Sequence, residues 1–154
     1  MSALPKPPPS SAVETVDTRF LETLMGYNAR RASLAIVEHF MRRMAPYDLR
    51  IVDFSVLSLI AHNPGITSRQ LCSTLGVLPP NLVPIIRALE KRQLVERHPH
   101  PSDRPANGLH LSASGALLLQ QAEATAAELE DEATARLTAA ERKTLMRLLQ
   151  KIYL

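Results

Sequence analysis

Basic side chains cluster in the middle third of the 154-residue chain, where they could bind a polyanion. Positions 62–111 hold six Lys or Arg residues and three acidic ones, whereas positions 123–132 hold five acidic residues and no basic one. Because the charge is segregated in this way, the middle third favours binding to nucleic acid, and a solvated surface of uneven charge is the alternative. The basic residues of this cluster are Arg69, Arg87, Lys91, Arg92, Arg97 and Arg104.

The composition excludes several classes of protein. Hydrophobic residues make up 45% of the chain and charged residues 21%, an ordinary globular balance that argues against a disordered chain. No apolar run approaches the roughly 20 residues of a membrane-spanning helix, and the Pro-rich N-terminus lacks the apolar stretch of a secretory signal. The single cysteine, Cys72, excludes an intramolecular disulfide. We therefore expect a cytoplasmic protein that has no membrane partner, metal or cofactor.

Apolar periodicity predicts a mainly α-helical fold with one small β-hairpin. The Pro-rich residues 1–16 are expected to form a flexible arm. In residues 17–50 apolar side chains recur every three, four and seven positions, which predicts one helix of roughly seven turns that Pro46 ends. A first helix of this length cannot bury its whole apolar stripe in a small domain, so it suggests a partner chain. Residues 112–154 are predicted to form two further helices, the last of which opens with a capping box at Thr138.

The region between these parts, residues 51–111, combines helix signals with a hairpin signal. Thr67 and Gln70 have the spacing of a capping box, which opens a short helix that stops at Gly76. The proline pair that begins at Pro79 suits the first turn of a second helix. Short alternating segments that follow can pair as a β-hairpin. A helix-turn-helix followed by a hairpin is a winged helix, so a winged helix-turn-helix is predicted.

Three stretches around the predicted wing occur in one order. They are Leu89–Arg97, Pro101–Arg104 and Leu109–Gly115. Together they resemble the MarR family of bacterial transcriptional regulators. The motif of that family runs Leu-Glu, two variable residues, Gly-Leu-Val and a basic residue, then a wing with Pro and Asp, then Leu-Thr and a Gly two residues on. Gln93 stands here for the first Gly and Ser112 for the Thr, and the order of the predicted elements also agrees.

The resemblance implies a homodimer whose first and last helices interlock, with dimerisation in residues 17–50 and 112–154. It also implies that residues 51–111 of both copies bind a palindromic operator in double-stranded DNA. Most members of the family repress transcription, and many release DNA when a small aromatic or phenolic compound binds near the junction of the two regions. We therefore expect a ligand-controlled repressor, although the sequence does not separate a repressor from an activator.

Two departures from the family motif fall on the surface that would contact DNA. The wing position that usually holds an Arg for the minor groove is Pro105, and Arg104 lies one place earlier. Pro84 lies inside the second helix of the helix-turn-helix, where a proline can tilt or kink the start of the helix. We expect minor reshaping of that helix rather than loss of the fold.

Candidate DNA contacts follow from the predicted fold, because the N-terminal part of the second helix meets base edges. Asn81 is the candidate for base recognition, since an Asn amide can pair with adenine, or it satisfies the free donors at the start of the helix. Asp103 is assigned a structural role in the wing, because a carboxylate does not favour DNA. Side chains predicted to contact phosphates or to flank the wing tip are Ser68, Arg69, Arg87, Arg97 and Arg104.

A ligand site is predicted in the crevice between the dimerisation region and the winged helix. Arg30 and Arg31 stand among apolar neighbours on the first helix, and an Arg that faces the crevice would bind a carboxylate bidentately. Tyr27, Tyr47 and Phe54 could form the walls around an aromatic ring. Alternatively, the two arginines lie on the solvated side of the helix or form ion pairs in the dimer. The expected ligand is a small aromatic carboxylate or a phenol.

Other classes of function have weaker support in the sequence. Cys72 lies inside the short helix without a resolving cysteine, so a small buried residue is the preferred interpretation and thiol-based redox sensing the alternative. His98, His100 and His110 near the hairpin could suggest zinc, but no cysteine accompanies them. No catalytic motif is found, so an enzyme is not expected. A winged helix that binds proteins and not DNA is the remaining alternative.

Overall fold

A computed structural model describes residues 15–99 and 107–154, so most of the predicted N-terminal arm lies outside the described residues. The chain separates into two compact units, Met1–Ser33 and Leu34–Leu154. The predicted fold class, mainly α-helical with a small hairpin, is confirmed. The elements are α1 (Arg19–Glu22), α2 (Met25–Met44), a 3₁₀ turn (Ala45–Tyr47), α3 (Ile51–His62), α4 (Ser68–Leu75), α5 (Pro79–Lys91), β1 (Val95–Pro99), β2 (Asn107–Leu111), α6 (Ala113–Ala133) and α7 (Ala139–Tyr153).

Among the described residues, no single helix has the length and apolar composition needed to cross a membrane. The pair α4 and α5 meets that criterion by length and composition only, with a bend of 117° between the two helices. The bend is the turn of the predicted helix-turn-helix.

The first helix is interrupted, which corrects the expectation of one continuous helix up to Pro46. α1 ends at Glu22, and α2 begins three residues later at Met25. The side-chain amide of Asn28 donates to the carbonyl oxygens of Glu22 and Leu24, both at 2.8 Å. The Asn28 amide thus provides a hydrogen-bond donor for carbonyl groups at the end of α1. The break is therefore stabilised although the helical hydrogen bonding is not continuous.

The core of the second unit forms around α3, which packs against α4, α6 and β2. α3 buries Val56, Leu57 and Ile60 almost completely. Burial of these aliphatic side chains joins the helix-turn-helix to α6 as one apolar cluster. Buried residues on the elements around α3 are Phe40, Met44, Leu71, Leu82, Ile86, Leu89, Leu109, Leu119, Ala122 and Leu129.

The hairpin is held against the helix-turn-helix by backbone contacts. β1 pairs antiparallel with β2, and the loop before α4 forms a single antiparallel β-bridge with β2. The Gly65 N–H donates to the Leu109 carbonyl at 2.9 Å, and the Leu109 N–H donates to the Ile66 carbonyl at 2.9 Å. A Cβ added at Gly108 would lie 2.9 Å from the backbone of Gly65, so this close approach requires a glycine. The base of the wing is therefore fixed relative to α3 and α4.

The turn from α5 into β1 places a side-chain-bearing residue in the left-handed region. Gln93 has a φ of +58°, at the position where the family motif has Gly. The carbonyl of Gln93 accepts hydrogen bonds from the hydroxyls of Ser112 and Ser114, at 2.6 and 2.9 Å, so the conformation is tied to the start of α6. A residue with a Cβ is strained in this conformation by about 1 kcal/mol relative to glycine.

We expect Gln93→Gly to raise the free energy of unfolding by about 0.5–1 kcal/mol, because glycine removes the strain and keeps the carbonyl acceptor. Equilibrium unfolding in urea measures the change. Gln93→Ala is the matched control, since it shortens the side chain but keeps the Cβ, and it should give no comparable gain. Equal stabilisation by both variants would show that the left-handed conformation is not strained.

Candidate nucleic-acid interface

α4 and α5 form the predicted helix-turn-helix. The Thr67 hydroxyl accepts from the backbone N–H of Gln70 at 3.3 Å, and the Gln70 side-chain oxygen accepts from the N–H of Thr67 at 2.9 Å. The predicted capping box is thus confirmed. α4 ends at Gly76, whose φ of +62° is the left-handed conformation that lets the chain turn toward α5.

α5 buries one side and exposes the other. Leu82, Ile86 and Leu89 are buried in the core. Pro84 lies on the exposed side, and the helix continues past it to Lys91, as expected. The missing N–H of this proline therefore leaves no unpaired group in the core. The exposed residues of the helix are Pro79, Pro80, Asn81, Val83, Pro84, Arg87, Ala88 and Lys91.

Two of the arginines predicted to contact phosphates are exposed, Arg69 at the start of α4 and Arg87 midway along α5. Neither forms an ion pair within residues 15–99 and 107–154. Ser68 is half-buried, and it lines a cleft of about 220 Å³ together with Arg69 and Val83. The cleft places a cationic side chain of α4 next to the first turns of α5.

Asn81 is exposed in the first turn of α5. The residue before the helix, Leu78, provides no side-chain cap, and Asn81 itself forms no side-chain hydrogen bond within the described part of the chain. Base recognition by Asn81 stays a prediction. The wing residues Asp103, Arg104 and Pro105, together with His100, lie outside the described residues.

Two other arginines of this region bind groups of the protein itself. Arg97 on β1, predicted to flank the wing tip, donates to both carboxylate oxygens of Glu90 on α5. Arg92 donates to the carbonyl oxygens of Asp48 and Tyr47, at 2.7 and 2.8 Å. Arg92 therefore joins the end of α5 to the turn after α2, a structural role that the basic cluster in the sequence did not reveal.

Two of the aromatic residues predicted to surround a ligand take part in helix packing. The ring of Phe54 on α3 packs edge-on against that of Phe40 on α2, with centroids 5.6 Å apart. The hydroxyl of Tyr47 forms a hydrogen bond of 2.8 Å with that of Thr125 on α6. A ligand-binding role for these two residues stays a prediction. The remaining predicted residues belong to the first unit, in which Tyr27 is half-buried and Arg30 and Arg31 are exposed.

The second unit contains an apolar cleft that the sequence analysis missed. Its volume of about 540 Å³ lies within the usual range for small-molecule sites. The lining comes from α2, α3, α4 and the turn before α5, so no single motif in the sequence could indicate it. The lining residues are Met41, Arg50, Ile51, Val52, Ser55, Leu75 and Val77.

A charged pair lies at the edge of this cleft. Both carboxylate oxygens of Asp53 accept from the guanidinium of Arg50 at 2.9 Å, and Asp53 also accepts from the Arg50 backbone N–H at 3.0 Å. Burial raises the pKa of Asp53, but the side-chain and backbone hydrogen bonds from Arg50 outweigh it and hold the pKa below its ordinary value of 3.8. Asp53 therefore caps the N-terminus of α3 as an ionised carboxylate paired with Arg50.

Asp53→Asn is expected to lower the free energy of unfolding at neutral pH by about 1–2 kcal/mol, because the charge-assisted hydrogen bonds are lost. A carboxyl with a lowered folded-state pKa stabilises the fold above its unfolded pKa and stops doing so as the pH falls through the folded value. The difference between the two proteins should therefore be constant above about pH 5 and shrink as the pH drops below 3.8. Unfolding measured across pH 2–7 checks this, and a difference that persists undiminished in acid would contradict it.

Two histidine side chains of the winged helix lie on the hairpin, and its cysteine lies on α4. The rings of His98 and His110 stack on the hairpin with centroids 4.5 Å apart, and His98 Nε2 lies 3.2 Å from a carboxylate oxygen of Glu96. Within the described ranges no three potential metal ligands come together. Cys72 is half-buried on α4, and the chain has no second cysteine. An internal disulfide is therefore excluded.

The helix-turn-helix and the hairpin that follows it define a winged-helix protein. A family model described as the MarR family matches residues 49–104. The chain is also 30% identical over 130 residues to the transcriptional regulatory protein assigned to the hcr operon of Thauera aromatica, a match that covers 84% of this chain and 78% of that protein. The protein belongs to the MarR family, so the resemblance seen in the sequence is confirmed.

Solved structures of the transcriptional repressor CouR are similar over most of the chain. CouR bound to a 23-mer DNA duplex has a TM-score of 0.84 and 36% identity, and the match covers 90% of this chain and 99% of that one. CouR bound to p-coumaroyl-CoA has a TM-score of 0.80 and 34% identity, with coverages of 91% and 97%. These relatives are described as a transcriptional regulatory protein and a transcriptional repressor.

Proposed function

We propose that the protein is a homodimeric repressor that binds a palindromic DNA operator through two winged helices and releases it when an aromatic or phenolic ligand binds. The observation that carries the DNA-binding part is the pair of exposed arginines on the helix-turn-helix, Arg69 and Arg87. Cations in these positions suit contacts with phosphates, which orient a helix-turn-helix on the duplex. The related repressor CouR, whose structure contains a DNA duplex, supports the same function here.

Exposed apolar side chains on the terminal helices support a homodimer. α7 buries no residue, although Leu145, Leu148 and Ile152 follow the spacing of one helical face. All three are exposed, Ile152 by 67%, and Phe20 on α1 is exposed by 75%. Aliphatic and aromatic side chains at this spacing are stabilised when a second copy covers them. The surface for that copy is therefore provided by the helices on either side of the winged helix in the sequence.

The apolar cleft of 540 Å³ is the site that we assign to the ligand. Its aliphatic walls suit an aromatic ring, and the Nη1 group of Arg50, which does not donate to Asp53, could donate to a carboxylate or phosphate. Because both α2 and the turn of the helix-turn-helix line the cleft, an occupant would shift one against the other. The two recognition helices of a dimer must lie about 34 Å apart to enter successive major grooves, so a small shift weakens binding. The p-coumaroyl-CoA bound by CouR supports an aryl acid or its thioester as the ligand class.

A titration of the protein on DNA selected from a random duplex library tests the proposal. The logarithm of the operator affinity should fall linearly with the logarithm of the salt concentration. A phenolic acid or its CoA thioester should lower the affinity at least tenfold, whereas free CoA should not. Equal affinity for every duplex would contradict a sequence-specific repressor. An operator complex that no aryl compound weakens would contradict the ligand switch alone.

Two sets of variants locate the ligand. Ser55→Phe fills the cleft, so it should abolish the response to the ligand while the affinity for the operator in its absence stays within a factor of two. Arg30→Ala and Arg31→Ala test the arginines predicted from the sequence. If only these two variants lose the response, the ligand binds on the first helix and the cleft is not its site.

A further inference from the structure

The exposed surface at the start of α5 is apolar. Pro80, Val83 and Pro84 form this surface, and all three are exposed, Val83 by 41%. Their side chains contain no hydrogen-bond donor or acceptor, so Asn81 is the one exposed residue of these first turns with a side-chain amide. In a helix-turn-helix, this part of the second helix meets the edges of the bases. Recognition by side-chain hydrogen bonds is therefore limited here.

The position of these residues on the helix is set by the core. Leu82 and Ile86 face the interior, and residues four apart lie on one side of a helix. Pro80 and Pro84 therefore share the side opposite the core, and Val83 flanks them. Because proline also lacks a backbone N–H, this side of the helix offers apolar contact and little else.

Positively charged side chains lie on either side of the apolar surface. Arg69 lines the same 220 Å³ cleft as Val83, and Arg87 follows Val83 by one turn of the same helix. Neither arginine has an ion-pair partner among the described residues, and an apolar patch between two such cations is complementary to a base edge between phosphates. A hydrophobic partner protein would leave both arginines without a counter-charge. The occupant that fits this surface is therefore the major groove of a duplex.

We infer that α5 recognises thymine through its 5-methyl group, by apolar contact with Val83 and the flanking prolines Pro80 and Pro84. The inference rests on the proposed binding to DNA. The thymine methyl is the apolar group that base pairs present in the major groove, and it distinguishes A·T from T·A. We therefore expect each half-site of the operator to place at least one thymine against this surface.

Replacement of thymine by deoxyuridine tests the inference, because it removes the methyl group and leaves the base pairing intact. The full-length protein first selects its operator from a random duplex library, and each thymine of that operator is then replaced singly. Loss of one methyl contact should lower the affinity about fourfold, and symmetric replacement in both half-sites about fifteenfold. Thymines outside the half-sites serve as controls and should not respond.

Two variants connect the effect to α5. Val83→Thr keeps the branched shape but replaces a methyl group by a hydroxyl, so it should weaken binding to the thymine operator and not to the matching deoxyuridine operator. Arg87→Ala should weaken binding to both operators by the same factor, because a phosphate contact does not sense the base.

The outcomes separate the inference from the proposed function. If the selected operator has no thymine in its half-sites, or tolerates deoxyuridine at every position, the inference is wrong and the DNA-binding repressor stands. Sensitivity to deoxyuridine that persists unchanged in Val83→Thr also contradicts it, since the methyl would then contact another element. If no duplex is selected and binding does not depend on salt, the proposed DNA-binding function is itself wrong, and the inference that rests on it is wrong as well.

Discussion

Replacing Gly115 by alanine is expected to lower the free energy of unfolding by about 3 kcal/mol, at the upper end of the cost of overpacking. Gly115 lies in the first turn of α6, and a Cβ there would overlap the carbonyl oxygen of Leu94. The obstacle is backbone, so no side-chain rotation relieves the clash. The same carbonyl accepts a hydrogen bond of 3.1 Å from the N–H of Ser112, which a shift of α6 would also weaken. Urea unfolding measures the loss.

Gly26→Ala is the matched control for this variant. Gly26 lies on α2, and an added Cβ there would meet no atom within 4 Å. Alanine at an unobstructed helical position is expected to stabilise the protein by about 0.5–1 kcal/mol, because it restricts the unfolded chain. Opposite signs for the two substitutions would establish the close contact of α6 with the turn before β1. Small effects of the same sign would rule it out.

The parts of the fold that depend on local hydrogen bonding could be predicted from the sequence. The capping box at Thr67 and the helix end at Gly76 are examples, because each involves residues within one turn of the chain. The capping box at Thr138 is likewise present at the start of α7. The break between α1 and α2 could not be predicted, because the apolar spacing continues across it. The amide of Asn28 marks the break only once its acceptors are known.

The site was harder to predict than the fold. An aromatic side chain on an amphipathic helix has the same spacing whether it lines a pocket or packs in the core, as Phe54 does against Phe40. A basic side chain near a recognition helix has the same charge whether it is free or paired, and Arg97 is paired with Glu90. Only the tertiary contacts distinguish these cases. They leave Arg69 and Arg87 as the exposed cations of the described helix-turn-helix that the sequence analysis assigned to phosphates.

Removing the positive charge at Arg87 is expected to weaken operator binding about a hundredfold, because a dimer loses one charge-assisted hydrogen bond in each half-site. The plot of log affinity against log salt should also become shallower by about two, one for each phosphate contact that is lost. Arg87 is exposed on α5, outside the core of the unit, so the free energy of unfolding of Arg87→Ala should stay within about 0.5 kcal/mol of the parent value. Fluorescence anisotropy over a salt series measures both quantities.

Arg136→Ala provides the control for net charge. Arg136 is exposed in the turn between α6 and α7, so its removal changes the charge by the same amount without touching the helix-turn-helix. If Arg87 binds a phosphate, the salt slope changes in Arg87→Ala and not in Arg136→Ala. If both variants weaken binding equally, the overall charge of the protein attracts DNA, and a specific phosphate contact of Arg87 is contradicted. A loss of affinity with an unchanged salt slope would instead place Arg87 against a base.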